Sequence, residues 1–256
     1  MDLHQLTAIS PIDGRYRKQL QHLAGYFSEY ALIKYRVLVE VEYFLLLAEK
    51  KIFKIDNKTR LHLQKITANF SLEDAGRIKE TETVTNHDVK AVEYFMKLKL
   101  ADTSLKDVLE WIHFGLTSED TNNLAYALML SQGLNEVILP SLNEIIFSLT
   151  SLTQKYANSP MLARTHGQPA SPTTFGKELR VFKERLLRQV TQLKNHKFLA
   201  KLNGASGNYN AHLSAYPKID WIKFSEQFIL SLPATSYQLQ ANAYTTQIEP
   251  HDSYIE

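Results

Sequence analysis

At 256 residues the chain is long enough for one large domain or two ordinary ones, and with 44% hydrophobic and 22% charged residues it has the make-up of a folded globular protein, not a disordered one. The net charge is +2 with Lys and Arg spread along the chain, and the one basic run, Lys50, Lys51, Lys54 and Lys58, is broken by Ile52 and Phe53, so no nucleic-acid footprint is expected. There is no cysteine, which excludes disulfides, cysteine nucleophiles and thiolate metal sites, and neither a signal-peptide layout at Met1–Gln5 nor a membrane-length apolar run is present, so a cytoplasmic protein is expected.

Helical periodicity dominates. Tyr26 to Lys51 is helical in pattern and apolar on more than one face, through Leu32, Val37, Leu38, Val41, Leu45 and Leu46, which predicts a well-buried helix. Helix starts are expected at Ser71-Leu72-Glu73-Asp74 and Thr117-Ser118-Glu119-Asp120, where a hydroxyl residue precedes an acid by three positions and both side chains can cap free N–H groups. Between Leu134 and Tyr156 a heptad seam runs through Ile138, Leu142, Ile145, Leu149, Leu152 and Tyr156. A second runs through Phe175, Leu179, Phe182, Leu186, Val190 and Leu193. Two such seams predict long helices packed as in a bundle. Ala163 to Thr174, with Gly167, Pro169 and Pro172, cannot continue a helix, and Asn203 to Asn210 carries Gly204 and Gly207 among asparagines; both read as loops. No strand is predicted. The pattern at Tyr254-Ile255-Glu256 has none of the usual helix-stop residues and reads as an interrupted element.

Polar residues gather in five segments. Asp13-Gly14-Arg15-Tyr16 offers a guanidinium suited to phosphate. Thr85-Asn86-His87-Asp88 sets an imidazole beside a carboxylate, and Thr117-Ser118 places hydroxyls at a helix start, where carboxylates and phosphates bind. Arg164-Thr165-His166-Gly167-Gln168-Pro169 carries a histidine able to exchange a proton near neutral pH. Thr245-Thr246-Gln247-Ile248-Glu249-Pro250-His251-Asp252 is dense in polar groups. Each alone is equally an ordinary cap, turn or solvated pair.

Taken in order, Ser10-Pro11-Ile12-Asp13-Gly14-Arg15-Tyr16, Thr85-Asn86-His87-Asp88-Val89-Lys90, Thr117-Ser118-Glu119-Asp120, Arg164-Thr165-His166-Gly167-Gln168-Pro169, Asn203-Gly204 to Asn210 and Thr246-Gln247-Ile248-Glu249-Pro250-His251-Asp252 closely resemble bacterial adenylosuccinate lyases, within the fumarase/aspartase superfamily. The likeness runs from Leu6 to Asp252. It implies an all-α fold with an N-terminal helical domain over 1–112 and a central long-helix bundle over 113–256, incomplete and without the C-terminal domain. It further implies a homotetramer whose active sites are shared between subunits, a nucleotide substrate, and no cofactor, metal, nucleic acid or membrane. The reaction is a β-elimination of fumarate from adenylosuccinate, giving AMP, and from the succinyl-carboxamide ribotide SAICAR, giving AICAR.

By the same resemblance, His166 is the general acid, Glu249 its carboxylate partner, and His87 an aid to proton movement. Arg15 and Tyr16 hold the phosphate; Asn86, His87 and Asp88 line the nucleotide; Thr117, Ser118, Gln168 and Gln247 bind substrate, with Thr117, Ser118 and Gln247 around the succinyl group. The family's base is a serine on a loop of the type Ser-Ser-x-Met-Pro-x-Lys, which this sequence lacks, so the 256-residue chain alone is expected to be inactive. Other readings are a different superfamily lyase such as an argininosuccinate lyase, an all-helical HD-type metal phosphohydrolase using His62, His87-Asp88 and His251-Asp252, and a non-catalytic helical scaffold.

Overall fold

The protein is described here as a computed structural model, covering residues 6–233, 239–249 and 251–255. After two short helices, α1 (Arg17–Leu20) and α2 (Ala24–Phe27), come α3 (Glu29–Glu49), α4 (Asn57–Ala68), α5 (Leu72–Thr85), α6 (Asp88–Leu100) and α7 (Ser118–Gly133). Then follow α8 (Leu139–Lys155), strands β1 (Pro160–Thr165) and β2 (Gln168–Thr174), α9 (Phe175–Asn195), β3 (Phe198–Ala200), α10 (Asn210–Ala215), α11 (Trp221–Ser231) and β4 (Leu239–Ala241). The chain forms two compact units, one from residues 1–133 with 197–256 and one from 134–196. The boundary expected at 112/113 lies within the first.

The first unit is built around α3. Ser28 caps it, its side chain accepting from Ala31 N at 3.2 Å. Val37, Val39, Val41, Tyr43, Phe44 and Leu47 are all fully buried, so apolar residues around the whole circumference find partners, as the sequence pattern predicted. Packing α4, α6 and α7 around it makes the core. At α5 the expected capping box is present: Ser71 Oγ accepts from Asp74 N, and Asp74 Oδ2 from Ser71 N, both at 3.1 Å. Residues after the second unit return to this core, where β3 pairs in parallel with β4 and α11 packs Phe224 and Phe228 edge-on against Tyr43.

The second unit is a pair of long helices joined by a β-hairpin. Residues 134–138 form a π-helical turn ahead of α8, so the seam predicted from Leu134 enters the α-helix only at Leu139. The α8 and α9 helices pack antiparallel. Gly176, in the first turn of α9, donates to Tyr156 O at 2.9 Å, and a Cβ there would stand 2.5 Å from Thr153 O. Glycine is what lets the two backbones approach this closely. The segment expected to be a loop between them is instead antiparallel β1–β2, with an irregularity between Leu162 and Arg164. The prolines that argued against regular structure exclude helix only. In a two-stranded ribbon each strand has a free edge, and Pro169 and Pro172 need not donate to the partner. At the tip His166 and Gly167 both have positive φ, 50° and 74°, the geometry of the tight two-residue turn whose twist matches a hairpin.

No helix among the described residues is long and apolar enough to cross a membrane.

Candidate functional site

Three of the five segments meet at the N-terminus of α7. The first comes from the α5–α6 junction. Asn86 ends α5 in the left-handed conformation, φ 51°, which asparagine tolerates, and His87 then caps α6. His87 Nδ1 accepts from Lys90 N at 3.2 Å, which places the proton of the neutral ring on Nε2. That Nε2 lies 3.4 Å from Ser118 Oγ. The cap is therefore also the device that aims the ring.

Asp88 is tied down from behind. Arg36, almost fully buried on α3, donates Nη2 to Asp88 Oδ2 at 2.5 Å and Nε to Asn122 Oδ1 at 2.9 Å. One guanidinium thus spans the α5–α6 junction and the first turn of α7. Burial alone would raise the Asp88 carboxyl, but the Arg36 charge beside it holds it below the usual carboxylate range.

The second segment is the start of α7 itself. Thr117 N donates to Asp120 Oδ2 at 2.9 Å, the acidic half of the predicted cap. Thr117 and Ser118 are partly exposed, whereas Asp120 is completely enclosed. The third segment reaches them through Gln247, whose Nε2 donates to Thr117 Oγ1 at 3.5 Å. Beneath it Asn203 Nδ2 donates to Thr245 Oγ1 at 2.7 Å. The glycine-rich loop between packs closely: Gly207, φ 76°, lies against the backbone of Thr245 and Thr246, where a side chain would collide. The result is a surface of hydroxyl, amide and imidazole donors at the positive end of a 16-residue helix, suited to an anionic group.

Other expected residues belong to other elements. His166 and Gln168 are exposed at the tip of the β1–β2 hairpin in the second unit. Glu249 belongs to the first unit, is fully buried, and accepts from Asn242 Nδ2 at 3.0 Å on Oε2 while Oε1 has no partner among the described residues. Burial raises its carboxyl above the ordinary range, and it also raises that of Glu119, which lies 3.8 Å from His251. Arg15 lies over the Tyr16 ring at 5.4 Å on the exposed N-terminal turn. His62, His87-Asp88 and His251-Asp252 do not converge, and among the described residues no three His, Asp or Glu side chains gather to hold a metal.

The sequence reading missed Arg36 and Lys201, and it gave Asp120 no role beyond capping. Lys201 is a charge inside the otherwise apolar run Phe198–Leu202, and Arg36 lies on the largely apolar face of Tyr26–Lys51 beside Lys34 and Glu40, so only the first was a clear signal. What each pairs with was not legible there.

A family model described as Lyase matches residues 14–256, and the chain belongs to that family. It is 52% identical to the adenylosuccinate lyase of Haemophilus influenzae, 51% to that of Legionella pneumophila strain Corby and 50% to that of Escherichia coli K12. Each match covers 100% of this chain and 56% of the relative, so the chain spans little more than half the length of these proteins. Among solved structures, fumarate lyase from Mesorhizobium sp. BNC1 superposes with a TM-score of 0.68 at 20% identity, covering 85% of this chain and 49% of that one. The β-carboxy-cis,cis-muconate cycloisomerase of Acinetobacter calcoaceticus gives 0.66 at 19% identity, covering 88% and 50%. At such identities these two structures establish the mostly helical, fumarase/aspartase-like fold and nothing finer.

Proposed function

We propose that this chain is part of an adenylosuccinate lyase, which eliminates fumarate from adenylosuccinate to give AMP and from SAICAR to give AICAR in purine nucleotide synthesis. One observation carries the reading: the segments 86–88, 117–118 and 247, assigned to the substrate by resemblance, meet at one helix N-terminus, with His87 Nε2 facing Ser118 Oγ. The names and near-50% identities of its relatives support the same reading.

The chemistry follows from what must move. A base removes the proton from the carbon beside a succinyl carboxylate. The electron pair forms the double bond of fumarate, the carbon–nitrogen bond breaks, and the departing nitrogen takes a proton. Thr117, Ser118 and Gln247 hold a carboxylate of the succinyl group with Oγ and N–H donors. Such donors count most where negative charge builds, each typically worth about 3 kcal/mol in the transition state. His166, from its exposed hairpin tip, protonates the leaving nitrogen, and a Glu249 supplied by another subunit is its carboxylate partner. His87, a neutral ring with its proton on Nε2, assists proton movement. Arg15 and Tyr16 take the phosphate; Asn86 and Asp88 line the nucleotide, and Gln168 is a substrate-binding residue. By the same resemblance the base is a loop serine of the type Ser-Ser-x-Met-Pro-x-Lys. The working enzyme is a cytoplasmic homotetramer with sites shared between subunits, each chain contributing a domain over 1–112 and bundle helices over 113–256.

The test is fumarate absorbance from the full-length protein supplied separately with adenylosuccinate, SAICAR and argininosuccinate. Release from the first two and not the third is expected. Release from argininosuccinate alone would move the protein to the neighbouring lyase.

A further inference from the structure

Beneath the proposed carboxylate site lies an ion pair to which no role has been given. Asp120 and Lys201 are both completely buried, with Lys201 Nζ 2.9 Å from Asp120 Oδ1. The carboxylate also accepts from three backbone groups: Asn203 N at 3.0 Å on Oδ1, and Gly204 N at 3.1 Å and Thr117 N at 2.9 Å on Oδ2. Lys201 Nζ donates further to Gly204 O at 3.1 Å, where Gly204 turns with φ 81°. The lysine backbone is clamped in turn by the Asn123 side chain, which accepts from Lys201 N at 2.9 Å and donates to Lys201 O at 3.1 Å.

The three backbone donors and Gly204 O give the pair a structural role, but stripping both charges of water offsets much of what it adds to stability, which leaves room for a further reason. The location supplies one. Asp120 stands in the first turn of α7, directly behind the end that presents Thr117 and Ser118. Left uncompensated, its negative charge would oppose any anion arriving there and cancel much of the attraction of the helix end. Lys201 removes that charge, and the same ammonium fixes the 203–204 turn, which holds Thr245 through Asn203 and so stands behind Gln247.

We propose that Lys201 is a positioning residue: it neutralises Asp120 beneath the N-terminus of α7 and locks the 203–204 turn, so that Thr117, Ser118 and Gln247 can hold an anionic group of the substrate. The inference rests on the succinyl-carboxylate site proposed above. Glu119 and Glu249 also feel the Lys201 charge, so its loss leaves three carboxylates together without it.

The experiment uses the full-length enzyme, with KM and kcat for adenylosuccinate and the melting temperature measured for Lys201→Met and for Asp120→Asn combined with Lys201→Met. The single variant leaves a bare buried carboxylate and should raise KM about tenfold or more; the double variant leaves no net charge and should bring KM back to within about fivefold of the unmutated enzyme. A residue that only fills space would make the double variant no better than the single one, and that result overturns the proposal, as does a single variant within about twofold of the unmutated KM. If the single variant does not fold, the double variant decides by the same fivefold limit. Failure of both to fold makes the pair a stability element and ends the positioning role. Absence of fumarate release from the unmutated enzyme would instead remove the lyase reading, and this inference with it.

Discussion

Glu249 carries a catalytic assignment and is also the most enclosed carboxylate of its segment, which makes two effects of the same side chain separable. Burial raises its carboxyl, so the folded chain favours the protonated form and loses stability as pH climbs above the ordinary value of 4.5. Glu249→Gln removes that loss. In the full-length enzyme it should keep or raise the melting temperature at pH 8 while lowering kcat more than it changes KM. Equal damage to both constants, or a fall of several degrees, would count against the role. His212 gives a cleaner pH signature. It is buried among Phe114, Tyr209 and Trp221, with Nε2 3.1 Å from the Tyr43 hydroxyl and Nδ1 without a partner among the described residues. Since Tyr43 Oη donates to Phe114 O, the ring donates to Tyr43 and is neutral, and burial lowers it from 6.5 to about 4. The unfolded chain takes up this proton below pH 6.5 and the folded chain only near 4, so stability is full above 6.5 and falls by about 3 kcal/mol towards pH 4. His212→Phe should flatten that decline in urea titrations at several pH values, with a loss of roughly 1 kcal/mol at pH 7 from the missing hydrogen bond.

Among the elements, α3, α5 and α7 were legible because their signals are local: a cap, a first turn and an apolar periodicity. The β1–β2 hairpin was not. Its prolines masked the strands, and a His-Gly turn is less familiar than the Asn-Gly that usually announces a hairpin. The sharpest constraint on an element is Gly176. Added atoms there meet Thr153 O at 2.5 Å and Ala157 N at 2.7 Å, both backbone atoms that cannot swing aside. Gly176→Ala should force α9 away from α8, at a cost of about 1–3 kcal/mol. Limited proteolysis would read this as faster cleavage within 134–196, and unchanged cleavage would show that the helix ends have slack.

For the molecule as a whole, the seams that predicted α8 and α9 remain only partly covered. Ile145 is 50% exposed and Phe182 59%, and Phe147, off the seam, is 73% exposed, more apolar surface than an isolated helical hairpin keeps in water without consequence. Sedimentation of the 256-residue chain should therefore show concentration-dependent association, and replacing Phe147 and Phe182 together by serine should reduce it. A monomer at all concentrations before any substitution would argue that these faces need no partner.

The sequence by itself determined the helical class and the helix starts at Ser71 and Thr117, because hydrophobic period and capping are properties of neighbours along the chain. It did not determine which residues meet. His87 faces Ser118 across 31 positions, Arg36 bridges Asp88 and Asn122 across 52 and 86, and Asp120 is matched by Lys201 and by the backbone of Asn203 and Gly204. A buried charge demands a partner but does not name it. Only the packing of α3, α7 and the 201–204 strand-end into one core decides which group is within reach.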